Sequence, residues 1–289
     1  GRPNVGKSTL LNRYVGEKVA IISPKPQTTR NRLLGILTRP DAQVIFIDLP
    51  GLHRPKHVLG EYMVRQATDS LNDADLILFL VDASARPTEE DALAADFLRR
   101  AAATPTLLVL NKADQMGPGP REERVEAFRT LGQFSEGFLI SALTGTGCNE
   151  MLERLIALLP PGPRYYPADQ LSDQQDRFVV SELIREQVLH LTHQEVPHGV
   201  AVVIEQFKER PEGTTYVEAT IYVEKESHKG ILIGQKGQML RQVGQAARQE
   251  IERVLDVPVY LELWVKVRKN WRKSEDELRR MGYAAARRR

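Results

Sequence analysis

Cysteine is nearly absent from this sequence, in which Cys148 is the single example. One thiol excludes an internal disulfide and a metal site built from several cysteines, and such scarcity is typical of a reducing compartment. Long apolar runs are absent as well: the apolar residues 76–81, which stand between two aspartates, have only the length of a buried parallel strand. A membrane-spanning helix would need roughly 18 apolar residues. The pattern therefore predicts no such helix.

The chain also lacks an excess of either charge. Its 40 basic and 38 acidic side chains leave a formal net charge of +2, and residues 1–160 carry 19 of each. A nucleic-acid site must therefore depend on the local placement of charge and not on a basic domain. The length of 289 residues favours about two domains, each able to build its own core.

A phosphate-binding loop stands at the start of the sequence. Residues 1–8, GRPNVGKS, fit the pattern G-x-x-x-x-G-K-[ST] at every fixed position. The glycines allow backbone N–H groups to surround a triphosphate, Lys7 would bridge its outer phosphates, and Ser8 would bind Mg²⁺. The expected ligands are Gly1, Asn4, Val5, Gly6, Lys7, Ser8 and Thr9. We expect a buried strand before this loop, since the sequence as given starts on the glycine that would end that strand.

Two further segments predict a switch that senses the γ-phosphate. The loop at 22–30 is polar and rich in proline, and we favour its Thr29 as a ligand of Mg²⁺, with Thr28 as the alternative. An apolar strand at 44–47 then runs into DLPG, where the carboxylate can hold Mg²⁺ through water and the glycine N–H can meet the γ-phosphate. The DLPG residues are Asp48, Leu49, Pro50 and Gly51. Ser8, Thr29 and Asp48 are thus the expected metal ligands.

Two loops that follow strands predict recognition of guanine. Asp114, in the motif NKAD, can accept hydrogen bonds from the N1–H and the amino group of guanine, a pairing that adenine cannot offer. Lys112 would lie along the base, and Asn111 would tie this loop to the phosphate loop. In the later loop the Ala142 N–H could contact the guanine carbonyl oxygen. That loop consists of Ser141, Ala142 and Leu143.

The set and order of these motifs resemble those of the translation-factor-class GTPases of the Era and tRNA-modification-GTPase group. In chain order the motifs are GRPNVGKS, PQTTR, DLPG, NKAD and SAL. The resemblance implies binding of GTP or GDP with Mg²⁺. It implies catalytic roles for Lys7, Asn4, Thr29 and Gly51. Leu49 replaces the threonine of the usual DTPG, at a position that contributes backbone and packing.

Leu52 stands where Ras-like enzymes carry their catalytic glutamine. An apolar side chain cannot orient water, so hydrolysis should be slow unless another group positions the nucleophile. Relatives with an asparagine in the phosphate loop use it to ligate a potassium ion. By this resemblance, Asn4 is expected to bind K⁺.

A proline-rich segment separates this domain from a second one. The expected boundaries are a G domain at 1–160, a linker at 161–175 and a second domain at 176–289. The second domain reads as helix, two strands in a hairpin, short helix, Gly-x-x-Gly, long helix and strand, which is the order of a type II KH domain. The predicted fold class is therefore a mostly parallel α/β P-loop domain with helices on both faces, followed by an α+β KH domain.

The Gly-x-x-Gly turn predicts binding of single-stranded RNA. Two glycines let a nucleic-acid backbone lie against the turn, and an apolar groove beside it would hold about four nucleotides. The expected RNA contacts are Ile233, Gly234, Gln235, Lys236, Gly237 and Arg241. Taken alone, the turn would also suit a simple bend between two helices. The basic residues within 266–273 and 287–289 either add phosphate contacts or belong to a solvated surface.

A G domain followed by a KH domain is similar to the whole arrangement of the Era family. That resemblance implies a cytoplasmic, monomeric GTPase that binds small-subunit ribosomal RNA near its 3′ end, acts on the 30S precursor, and associates peripherally with the inner membrane. Three alternatives stay open. They are a small-molecule kinase, a tandem-GTPase ribosome factor, for which a second phosphate loop is missing from this sequence, and an RNA-binding protein with a vestigial nucleotide site.

Overall fold

The computed structural model describes residues 1–71, 73–99, 104–117, 121–193 and 196–283. Contacts between residues divide the chain into two units. The first unit comprises Gly1–Ala20, Thr29–Lys56 and Gly60–Asp173. The second unit comprises Ile21–Thr28, His57–Leu59 and Gln174–Arg289.

In the first unit, α1 and a strand hairpin come first, and helices and strands alternate after them. The helices are α1 (Lys7–Val15), α2 (Val58–Leu71), α3 (Glu89–Leu98), α4 (Arg121–Arg129) and α5 (Cys148–Leu158). The strands are β1 (Leu33–Thr38), β2 (Gln43–Asp48), β3 (Ile77–Asp82), β4 (Thr106–Asn111) and β5 (Glu136–Leu139). Strands β3, β4 and β5 form a parallel sheet, and β1 pairs with β2 in an antiparallel hairpin.

Helices cover both faces of the parallel sheet. On one face Leu80 and Val109 pack with Leu10 of α1 and Met151 of α5. On the other face Phe79, Val81, Leu108 and Leu110 pack with residues of α3 and α4. Successive residues of each strand point to opposite faces, so a strand that is apolar throughout fills both layers. The predicted α/β class with helices on both faces is confirmed.

The hairpin and the parallel sheet stay separate, because β2 and β3 are not hydrogen-bonded to each other. Residues 165–172 run along the hairpin: the Tyr166 carbonyl accepts a hydrogen bond from the Gln43 side chain, and the Leu171 carbonyl from the Ile36 N–H.

The second unit has the element order expected of a KH domain. Its helices are α6 (Asp176–Leu191), α7 (Glu226–Ile233), α8 (Gln238–Leu255) and α9 (Glu275–Arg280). Its strands, β6 (Ala201–Glu209), β7 (Thr215–Val223) and β8 (Val259–Val267), form a sheet in the order β6-β7-β8. The predicted hairpin is the antiparallel pair β6–β7, and β8 joins β7 in parallel. A register shift between Ile204 and Gln206 interrupts the hairpin. No sequence pattern predicted this shift.

The segment Ile21–Thr28 packs on α6 within the second unit. The Ile22 N–H donates to Glu186 Oε1 at 2.9 Å, and His190 Nε2 lies 2.8 Å from the Ile22 carbonyl oxygen. The fully buried Arg185 guanidinium donates to the Thr28 carbonyl. The sequence predicted only an apolar face for α6, so these polar anchors are a finding of the structure.

None of the helices in the described ranges combines the length and the apolar character needed to cross a bilayer.

Candidate functional site

The phosphate loop ends at the first residue of α1. Gly6 precedes that helix with φ 97°, a left-handed conformation that an L side chain rarely adopts. A Cβ at Gly6 would also lie 2.2 Å from Asn111 Nδ2. Glycine has no side chain to cap α1, so the first N–H groups of the helix are left to a ligand. Asn4 takes a left-handed conformation too, with φ 62°.

Lys7 has the environment of a phosphate-binding lysine. Its Nζ donates to the Arg2 carbonyl at 2.9 Å, which fixes the side chain over the loop. Burial lowers the pKa of Lys7 to about 8; Arg2 adds to this effect and Asp48 opposes it. A buried ammonium that is poorly compensated by protein carboxylates suits an anionic ligand.

Three hydroxyl and carboxylate groups converge beside Lys7. Ser8 Oγ lies 2.6 Å from Asp48 Oδ2 and 2.9 Å from Thr29 Oγ1, which in turn lies 3.3 Å from Asp48 Oδ2. The neighbouring Thr28 instead donates to the Lys25 carbonyl at 2.7 Å. The structure thus places Thr29, the favoured threonine, with the other two expected metal ligands.

The Asp48 carboxylate fits a bound cation. Burial raises its pKa, although Lys7 and the hydrogen bonds from Ser8 and Thr29 partly offset that effect. Its Oδ1 is buried without a hydrogen-bond partner in the described part of the chain. Mg²⁺ prefers oxygen ligands and is typically held by one or two carboxylates together with phosphates and water. Ser8, Thr29 and Asp48 therefore form a suitable donor set, whose ion would bridge and neutralise the phosphates.

Gly51 lies directly against the phosphate loop. A Cβ there would approach the Pro3 nitrogen to 2.5 Å, so only glycine fits. Leu49 and Leu52 both pack into the core beneath the sheet, and the Leu52 side chain is 4% exposed. The Leu52 side chain thus belongs to the core, and its N–H donates to the Gly1 carbonyl of the loop at 3.2 Å.

Asn111 joins three loops. Its Nδ2 donates to the Val5 carbonyl at 2.8 Å, which is the link to the phosphate loop that the sequence predicted. Its Oδ1 accepts the Ala142 N–H, also at 2.8 Å. The sequence assigned that N–H to the guanine carbonyl, whereas here it already has a partner.

Asp114, in the loop that follows β4, is exposed to solvent. Ser141 Oγ donates to Asp114 Oδ1 at 2.5 Å, so the hydroxyl orients the carboxylate. Lys112, which precedes it by two residues, has φ 67° and donates from Nζ to Asp82 Oδ2. Leu143 is 67% exposed beside this loop.

Arg13 is a residue of the site that the sequence reasoning missed. Its Nε donates to the Ala142 carbonyl at 2.6 Å and its Nη2 to the Leu143 carbonyl at 2.5 Å. A Cβ added at Gly145 would lie only 2.7 Å from Arg13 Nη1, so the guanidinium packs closely against this glycine. Arg13 therefore holds the loop after β5 in place from α1. No motif includes it, because the two partners are about 130 residues apart in the chain.

The Gly-x-x-Gly turn connects α7 to α8. Three of its four residues have positive φ: Gly234 at 71°, Lys236 at 51° and Gly237 at 75°. A Cβ at Gly234 would lie 2.7 Å from Met239 Cβ, whereas one at Gly237 would meet open space. The turn therefore needs its first glycine for packing and both for backbone conformation.

The side chains around this turn suit a nucleic-acid backbone. Gln235, Lys236 and Arg241 are exposed, and Ile233 is half-buried against the core of the second unit. The first N–H groups of α8 follow directly, since this helix begins at Gln238. Cationic side chains, the N-terminus of α8 and an apolar wall thus lie together.

The basic segment after β8 is partly structural. Trp271 is fully buried and donates from Nε1 to the Gly199 carbonyl at 2.9 Å, and Arg272 pairs with Glu224. Arg287, Arg288 and Arg289, which the sequence analysis also considered, lie outside the described residues. Within the described ranges, no group of three or more His, Cys, Asp or Glu side chains could hold a metal ion.

Two known families match separate parts of the chain. Residues 1–112 match the family described as 50S ribosome-binding GTPase, and residues 195–272 match the KH domain.

Two solved structures resemble nearly the whole chain. A variant of Era from Aquifex aeolicus, bound to GDP and AlF4⁻, is 40% identical, with a TM-score of 0.93, 99% of this chain covered and 97% of that one. Era in complex with MgGDPNP and nucleotides 1506–1542 of 16S ribosomal RNA is also 40% identical, with a TM-score of 0.94 and the same coverage. Since this identity extends from the phosphate loop through the KH domain, the chain belongs to the Era family of GTPases.

Proposed function

We propose that this GTPase is a switch that binds small-subunit ribosomal RNA near its 3′ end through the KH domain and acts in maturation of the 30S precursor. The observation that carries the nucleotide half is the convergence of Lys7, Ser8, Thr29 and Asp48 at the start of α1. Asp114 completes that site as the group that selects guanine. The ligands are therefore GTP and GDP with Mg²⁺.

The RNA half is supported by the Gly-x-x-Gly turn and by one relative. The 40% identical Era was solved with nucleotides 1506–1542 of 16S ribosomal RNA. The family that matches residues 1–112 is named for the 50S ribosome, but that match does not include the KH domain. The full-length relative supports small-subunit RNA as the ligand of this chain.

The switch we propose depends on Thr29 and on the DLPG segment. GTP and Mg²⁺ order both, and hydrolysis releases them. Thr28 is hydrogen-bonded by Arg185 of α6, and the next residue, Thr29, bears the hydroxyl that lies at Asp48. Movement of Thr29 would thus pull on a segment that α6 holds. Nucleotide state would in this way fix the disposition of the KH domain.

RNA affinity measured in both nucleotide states tests this coupling. A 16S 3′-end oligonucleotide should bind more tightly with GDPNP than with GDP, and by linkage it should raise GDPNP affinity by the same factor. Equal RNA affinity in both states would contradict the coupling. Crosslinking in cells provides the test of the RNA site: a small-subunit RNA signal that persists after substitution of Lys236 and Gly237 would contradict the KH assignment.

A potassium ion bound by Asn4 is part of the proposed mechanism. Leu52 is buried and cannot orient water, so a cation near the γ-phosphate would supply the missing stabilisation of charge. Hydrolysis should be faster in potassium than in sodium. Equal rates, or a potassium effect that survives Asn4→Ala, would exclude this role.

The competing function is that of an RNA-binding protein with a largely non-catalytic nucleotide site. Leu52 favours it, since the usual catalytic side chain is replaced by one that packs in the core. Release of phosphate from GTP under single-turnover conditions separates the two. We further place the protein in the cytoplasm as a monomer, with peripheral association with the inner membrane, on the resemblance to the Era family.

A further inference from the structure

Asp82 is a carboxylate at the carboxyl end of β3 that belongs to none of the nucleotide motifs. It pairs in register with Asn111 of β4, so it lies beside the first residue of NKAD. Its side chain is 11% exposed, and its Oδ2 accepts a hydrogen bond from Lys112 Nζ at 2.6 Å. The other oxygen, Oδ1, accepts the N–H of Ser84 at 3.0 Å and its hydroxyl at 2.5 Å. Both oxygens are therefore fixed.

Arg2 of the phosphate loop approaches the same carboxylate. Its Nη2 lies 3.8 Å from Asp82 Oδ2, and its Nε donates to both oxygens of Asp91 at 3.0 and 3.2 Å. Asp91 is almost fully buried and forms a capping box with Thr88 at the start of α3. A chain of charged groups thus runs from α3 through the phosphate loop to the base-recognition loop.

The charge on Asp82 is maintained by its neighbours. Burial would raise its pKa, but the hydrogen bonds from Lys112 and Ser84 outweigh burial, and the pKa lies below its ordinary value. A carboxylate in this state is ionised at neutral pH and forms a charge-assisted hydrogen bond with the lysine. Lys112 itself has a left-handed backbone, a strained state that persists only where surrounding contacts fix it.

We propose that Asp82 is a positioning residue for guanine recognition, which holds the Lys112 ammonium so that the lysine stem forms one wall of the base pocket. The inference rests on the proposed function, in which Lys112 lies along the base. A lysine has several rotatable bonds, and a stem that is already anchored loses less freedom when the base arrives. Arg2 links the same carboxylate to the phosphate loop.

A double-mutant cycle on GDP affinity tests this role in the full chain. Asp82→Asn should weaken GDP binding roughly tenfold, since a hydrogen bond to a charged group is lost. Lys112→Ala should weaken it at least as much. The double variant should bind no more weakly than Lys112→Ala alone, because Asp82 acts through Lys112. Asp75→Asn is the matched control: this exposed carboxylate lies two residues before β3, at the far end of the strand from Asp82, and GDP affinity should not change.

The conservative variant Asp82→Glu distinguishes positioning from general damage to the fold. It keeps the charge, and the flexible lysine can follow it, so GDP affinity should recover from the level of Asp82→Asn towards that of the wild type. Wild-type affinity in Asp82→Asn, additive losses in the double variant, or no recovery in Asp82→Glu would overturn the proposal. A wild-type chain that binds ADP as tightly as GDP would instead overturn the proposed function.

Discussion

Ser8 Oγ lies 2.6 Å from Asp48 Oδ2, although the two residues are 40 positions apart in the sequence. This contact brings the first turn of α1 to the end of β2. Thr29 joins the pair from the preceding loop, and Asp48 keeps one buried oxygen without a partner among the described residues. The arrangement provides oxygen ligands on one side of a cation and leaves the other side to phosphates.

Substitution of Asp48 by Asn should remove the dependence of GTP binding on Mg²⁺. An amide keeps the shape but not the charge that holds the ion, so added Mg²⁺ should no longer tighten binding of GDPNP. The measurement is GDPNP affinity with Mg²⁺ and with a chelator. Asp41→Asn, at an exposed carboxylate ahead of β2, is the control and should retain the full effect. A variant at Asp48 that responds to Mg²⁺ like the wild type would exclude this residue from the metal site.

The lowered pKa of Lys7 predicts a pH effect on phosphate binding. Below about pH 8 the nucleotide-free protein carries a protonated Lys7, and above it the proton is lost and must be regained when phosphates bind. GDP binding should therefore take up a proton above about pH 8 and weaken as the pH rises. Calorimetry in buffers of different ionisation enthalpy measures the uptake.

Lys7→Arg is the control for this titration, because a guanidinium stays charged throughout the range. The lowered pKa of Lys7 also affects the stability of the fold, but there the effect of rising pH has the opposite sign to its effect on GDP binding. The unfolded chain binds a proton that the folded chain has lost between about pH 8 and 10.5, so the free energy of unfolding should rise with pH in that window. A proton uptake that persists in Lys7→Arg would assign the effect to another group.

Gly51→Ala should impair sensing of the γ-phosphate. The added Cβ would meet the Pro3 nitrogen at 2.5 Å, so DLPG could not keep its place against the phosphate loop. We expect hydrolysis to fall at least tenfold while GDP affinity changes less, because the γ-phosphate contact is lost. Gly117→Ala, where a Cβ meets open space, is the control. Normal GTP hydrolysis by the Gly51→Ala variant would contradict a close approach of Gly51 to the phosphate loop in the active state.

Lys236→Ala should weaken RNA binding uniformly across sequences. Its exposed ammonium at the Gly-x-x-Gly turn would contact phosphate, so the slope of log affinity against log salt should fall by about one. Lys208→Ala removes a similarly exposed charge from β6 and should leave the slope unchanged. An unchanged slope for Lys236→Ala would place the RNA elsewhere.

The sequence predicted those parts of the fold that depend on local pattern. The strands around 44–47 and 106–110, the long helix that starts at Gln238 and the Gly-x-x-Gly turn are all found, because each is encoded by apolar periodicity or by glycine. The short strand β5 and the helices α2 to α4 gave weaker signals. The apolar faces of these helices are interrupted by alanines and charged residues, and β5 is short.

Contacts between distant segments could not be predicted in the same way. Arg13 and Asp82 both support the base-recognition loops, but neither belongs to a motif whose spacing reveals its partner. The charges of Arg185 and Glu186 suggest exposed positions on α6. Both side chains are nevertheless buried, because the loop at 21–28 packs over them. The hydrogen bond from the Ala142 N–H to Asn111 could not be predicted either, because it depends on how two loops fold together, and the contact of this N–H with guanine stays a prediction.

The central claim is that Asp114 selects guanine above a phosphate loop built around Lys7. Competition between GDP, ADP and XDP, measured on the wild type and on Asp114→Asn, tests it most directly. An amide in place of the carboxylate cannot accept both guanine hydrogens but can donate to the carbonyl that xanthine carries at that position, so preference should move from GDP to XDP. A wild type that binds ADP as well as GDP, or an Asp114→Asn variant that still prefers GDP, would contradict the account.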